Sequence, residues 1–158
     1  MNTRIRTSAA AFVLAISGLL SPLANAQGAA DRDAKEVSNY VLTEAALAKY
    51  TRAVTNLQPL MKRVAQACDD DGDDSSATLS SVVARMDAVP GVRAALQSAG
   101  MTTREYVLFG FSVFQNGLAA WALSQPGGKL PPGVQMANVN FFRAHEAAKL
   151  LGVVGNIL

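Results

Sequence analysis

Residues 102–123 read TTREYVLFGFSVFQNGLAAWAL, and this stretch decides the fold. Thr102 and Glu105 stand three apart at its head, the spacing of a capping box in which each side chain satisfies the other residue's backbone N–H. From 106 to 123 there are eighteen residues without a charge. A helix that is apolar nearly all round needs cover from other elements. By length and composition the run also permits a membrane span. Against that reading, Gly110, Gly117, Ser112, Gln115 and Asn116 interrupt it and no Lys/Arg asymmetry flanks it. The expected fold is therefore all-α, a compact bundle of four to five helices with this apolar helix at its centre. No stable membrane span is expected after signal cleavage.

Toward the N-terminus, Gly100 supplies the left-handed conformation that stops a preceding helix, which the sequence starts at Pro90 and carries through Val92, Ala95 and Leu96. A further helix is predicted over 79–88. Before it, Asp69, Asp70, Asp71, Gly72, Asp73 and Asp74 form an acidic turn. Setting Gly72 at the sixth position of a calcium loop puts Ala67 at the first and Thr78 at the twelfth. Both principal ligand positions are thus empty of acid, and a solvated turn is the better reading. The long helix predicted over 43–67 starts at an N-cap Thr43 and carries Ala46, Tyr50, Ala53, Leu57, Leu60, Val64 and Ala67 in alternating steps of four and three, the seam of a bundle helix. Pro59 removes a donor inside it and predicts a kink or a break there.

Residues 1–26 have the build of a cleaved secretory signal peptide: Arg4 and Arg6, an uncharged run from 9 to 20, and Ala24-Asn25-Ala26 before the cut. The expected mature chain starts at Gln27, soluble, in the periplasm or outside the cell. Its residues 27–42 are expected to be a flexible segment, and 43–158 a single helical domain. Losing the leader brings the formal charge from +2 to twelve basic against twelve acidic side chains. With no basic cluster left, nucleic-acid binding is not expected. A lone cysteine, Cys68, forbids an internal disulfide, and its acidic neighbours would raise a thiol pKa, so it reads as a small core residue.

Past the central helix, 125–133 holds three prolines and three glycines and must be an extended linker. A last helix is predicted from 139 to 151 with Asn138 as its cap and Gly152 as its stop, followed by an apolar tail that packs on the body.

Motifs for catalysis are thin. His145-Glu146 has Lys149 where a zincin helix needs a second histidine, and nucleophile-elbow and phosphate-loop patterns are missing. A haem- or metal-binding bundle using His145, with Met61, Met86, Met101 or Met136 as second ligand to haem, is a minor alternative, and no cofactor is expected. What stands out is a polar set within apolar helices: Ser112, Gln115 and Asn116 in the central one, Asn138, Arg143 and His145 in the last. Two readings compete. Buried amides need partners, so the set builds an internal hydrogen-bond network. Alternatively, with Glu105, Phe141 and neighbouring aromatics, it lines a pocket for a small apolar or amphipathic ligand. The leading expectation is a non-enzymatic binding or interaction module. The alternative is a structural or partner-binding protein with a fully packed core, and a homo-oligomer fits either.

Overall fold

The computed structural model describes residues 21–69 and 78–145, and within them every regular element is a helix. In chain order these are α1 (Ser21–Asn39), α2 (Glu44–Leu57), a single 3-10 turn (Gln58–Leu60), α3 (Met61–Asp69), α4 (Leu79–Ala88), α5 (Val92–Ser98), α6 (Thr103–Ser124) and α7 (Met136–Ala144). Residues 1–20 of the expected 1–26 leader, all of the acidic turn after Asp69 and the expected helix end and tail beyond 145 lie outside the described residues, while residues 21–26 belong to α1.

Helix α6 is the axis of the bundle, touching α1, α2, α4, α5 and α7, while α2 packs on α5 and α3 on α4. Its start is the predicted capping box: Thr102 Oγ1 accepts from the Glu105 N–H (3.1 Å) and Glu105 Oε2 from the Thr102 N–H (2.7 Å). Just upstream, Gly100 (φ +79°) ends α5 in a Schellman motif. The Gly100 N–H donates to the Gln97 carbonyl (2.9 Å) and the Met101 N–H to Leu96 (3.1 Å), with both Leu96 and Met101 buried. Stop and start signals thus stand back to back.

Pro59 breaks the long predicted helix into α2 and α3 through the 3-10 turn. Thr43 caps α2 by accepting from the Ala46 N–H (3.2 Å). On its inner face Tyr50 stacks between Tyr106 (centroids 4.8 Å apart) and Phe109 (4.4 Å) of α6. With Leu57, Val92, Leu96, Val113 and Val139, these rings form the dry centre of the core.

Three boundaries differ from the sequence-based expectation. Pro90 does not open α5. Val89 before it is extended (ψ 118°), as a pre-proline residue prefers, and Gly91 at φ +93° turns the chain so that the helix begins at Val92. Residues 28–39, predicted as part of a tether, continue α1, and long-range partners hold it. Asp33 Oδ2 accepts from the Leu79 N–H (2.5 Å), satisfying an orphan donor at the start of α4. Three residues on, Glu36 takes both Nε and Nη2 of Arg104 in a forked ion pair. Finally, Asn138 is not the cap of α7, because the helix starts two residues earlier at Met136.

The central helix is also less covered than predicted. One face is buried along its length, from Thr103 to Ala120, but Phe111, Phe114, Leu118 and Trp121 are 45, 43, 53 and 65% exposed.

Candidate functional site

The polar side chains embedded in α6 and α7 share a target, the segment that ends α1 and leads into α2. Ser112 Oγ donates to the Val37 carbonyl (3.3 Å) and Gln135 Nε2 to Ser38 (2.8 Å). Asn138 Nδ2 donates to the Tyr40 carbonyl (2.7 Å) while its Oδ1 accepts from the Leu42 N–H (3.0 Å). A helix end leaves carbonyls without intrahelical partners, and buried ones must be met by something else. These residues meet them, so their polarity is consumed by the fold. Asn116 Nδ2 donates one turn back to the Ser112 carbonyl (2.7 Å), leaving its Oδ1 buried without a partner among the described residues. Gln115, half-buried, enters none of these bonds.

The charged members of the predicted site are likewise occupied. Glu105 serves the Thr102 cap, and those hydrogen bonds hold its carboxyl below the usual range. Arg143 donates to the Ala120 carbonyl (3.3 Å). His145 ends α7, stacked on Phe141 at 4.0 Å, with Nδ1 on the Phe141 carbonyl (2.7 Å) and Nε2 on Glu44 Oε1 (2.5 Å). The Phe141 carbonyl raises the imidazole pKa above its ordinary value; Glu44 adds to this, and burial partly offsets it. Both ring nitrogens thus face acceptors in this arrangement. No group of three His, Cys, Asp or Glu side chains gathers among the described residues.

An apolar cavity lies on the other side of α6. It measures about 320 Å³ and opens between four helices, lined by Tyr50 and Leu57 of α2, Met61, Val64, Ala65 and Cys68 of α3, Val82 and Met86 of α4, and Tyr106, Val107, Gly110, Phe111 and Phe114 of α6. That volume falls at the small end of ligand pockets. Pro59 bends α2 into α3 around one wall, and Gly110 lies beside the Tyr50 hydroxyl, which a Cβ there would meet at an ordinary contact distance of 3.5 Å.

The lining is apolar except for two phenols and the thiol. Burial raises the pKa of both phenols, Tyr106 to about 12, so both are neutral at physiological pH. The two perturb each other's ionisation, yet Tyr106 Oη reaches hydrogen-bond geometry with no partner among the described residues. A buried hydroxyl left unsatisfied carries a desolvation penalty of about 1–3 kcal/mol. Among the described residues its lining offers no paired acid and base.

None of the eight residues predicted as a site lines this cavity. Of the aromatics neighbouring that set, Phe111 and Phe114 do. Tyr50 belongs to the predicted core seam, and a tyrosine in a core has to place its hydroxyl somewhere, which was the available signal. Arg143 instead lines a shallow groove between α6 and α7 with Phe114, Gly117, Leu118, Ala120, Trp121 and Phe142. No protein-family model, curated protein or solved structure matches this chain, so its own geometry carries the functional reading.

Proposed function

We propose that this chain is an exported, non-enzymatic helical protein that holds a small apolar or amphipathic molecule in the cavity between α2, α3, α4 and α6. The observation that carries the reading is the apolar cavity itself, walled by four helices. The ligand it favours is predominantly apolar. Export, to the periplasm or the medium, rests on the leader pattern at 1–26.

Titration of the mature protein with the apolar fluorophore N-phenyl-1-naphthylamine tests this. Ala65 is exposed at the rim, so Ala65→Trp fills the mouth while leaving the packed core alone. The expected result is saturable binding that Ala65→Trp weakens at least tenfold and Trp121→Ser, on the exposed row, leaves unchanged. Binding lost with Trp121→Ser and kept with Ala65→Trp would place the probe on the surface and defeat the cavity reading. A partner-binding role is the second reading, favoured by the exposed row on α6.

A further inference from the structure

The cavity between α2, α3, α4 and α6 has a floor and a mouth. Tyr50, Leu57, Val64 and Tyr106 in its wall are buried, whereas Ala65, Phe111 and Phe114 are exposed and stand at its opening. Neither end supplies a charge, since none of the lining residues carries a carboxylate, ammonium, guanidinium or imidazole. The charged side chains next to lining positions in the sequence are engaged or turned to water. Lys62 and Arg63 on α3 are exposed, and Arg85 on α4 reaches the Ser81 hydroxyl (3.5 Å). Asp87 pairs with Arg93 (2.8 Å), and Glu105 is spent on the Thr102 cap. An ion moved from water into such a lining loses its hydration and meets no counter-charge, a cost larger than the burial of a small ligand's apolar surface returns.

Size sets a second limit. At the ~30 Å³ that a water molecule occupies in the liquid, 320 Å³ holds roughly ten units of that size. That is room for one or two fused rings and too little for a long acyl chain. The lining sets a third. Tyr50, Tyr106, Phe111 and Phe114 bring aromatic rings to it, and Met61 and Met86 bring polarisable thioethers, and both kinds of group make their favourable specific contacts with other rings. Resting on the cavity reading above, we infer that this site takes an uncharged aromatic molecule of one or two rings and rejects ionised amphiphiles. The selection is made by the absence of any counter-charge from floor to mouth.

Displacement of N-phenyl-1-naphthylamine from the mature protein at neutral pH reads the preference directly, with naphthalene, 2-naphthoate and 1-naphthylmethylammonium as competitors of similar shape and different charge. Naphthalene is expected to displace the fluorophore, and both ions to do so on the order of a hundredfold less well. Decanoate, an ionised amphiphile with a flexible chain, should compete as poorly as the ions. Equal competition by naphthalene and either ion overturns the inference. So does 2-naphthoate competing better than naphthalene, and loss of that advantage in Lys62→Gln would assign the mouth to an anionic head group. In each of those cases the fluorophore still binds and the cavity reading stands. If the fluorophore does not bind, and naphthalene gives no heat in isothermal titration calorimetry, both readings fall together.

Discussion

Asn138 in the first turn of α7 and Asn116 in the middle of α6 are equally buried, each 2% exposed. The first spends both ends of its amide on a loop 96 and 98 residues away, accepting from Leu42 and donating to Tyr40. The second donates within its own helix and leaves its oxygen without a partner among the described residues. Burial of a polar group therefore says little about its role until its partners are known. A group whose every bond goes to backbone is part of the scaffold. One whose bond is missing marks either a local defect or a place for something else.

Replacing each asparagine should break the pair apart. Asn138→Leu strands the Leu42 N–H and the Tyr40 carbonyl, at about 1–3 kcal/mol for each unsatisfied group. Urea denaturation is expected to register a loss of about 2–5 kcal/mol, and a loss below about 1 would mean the loop finds other partners. The two glycines of α6 sharpen the same point with a smaller effect. Gly117→Ala drives a Cβ against the Phe142 ring at 3.0 Å and should cost about 1 kcal/mol net of its helix-propensity gain. Gly110→Ala meets the Tyr50 hydroxyl at an ordinary 3.5 Å and should raise stability by up to about 1 kcal/mol. Equal signs in thermal melts of the two variants would contradict the packing described for α6. Asn116→Leu removes an amide that is only half satisfied and should leave stability within about 1 kcal/mol of the parent, in contrast to Asn138→Leu.

The smallest effect concerns His145. Its folded pKa lies above the ordinary value of 6.5, so its stabilisation is complete below about pH 6.5 and is lost as pH rises through the raised value. The denaturation midpoint should fall slightly on going from pH 6 to pH 8, and Glu44→Gln, which removes the Nε2 partner, should flatten part of that slope. A midpoint that rises over this window would refute the placement of the imidazole between two acceptors.

The parts of the fold legible in the sequence are those fixed by local chemistry. Thr43, Pro59, Gly100 and the Thr102/Glu105 pair each act within four residues, and each stands where the spacing predicts. Helix α1 is not legible in this way because its anchors, Asp33 on Leu79 and Glu36 on Arg104, lie 46 and 68 residues away. Asn138 has the local signature of a cap, since an asparagine ahead of an apolar run normally serves its own helix, and only its distant partners give it a different task. The cavity is hidden for a similar reason. Tyr50 and Tyr106 become neighbours only when α2 packs on α6, and no periodicity reports which two seams will meet. Of the polar set, Ser112 and Asn138 bond to the segment that ends α1 and leads into α2, and Asn116 donates within its own helix.

Native mass spectrometry of the mature protein purified from its own host tests the central claim most directly, because a bound molecule is read as added mass whatever its chemical identity. The account predicts a reproducible small-molecule adduct on the parent protein and on Trp121→Ser, and its loss from Ala65→Trp. A parent protein that arrives bare, or an adduct that survives Ala65→Trp, would contradict it.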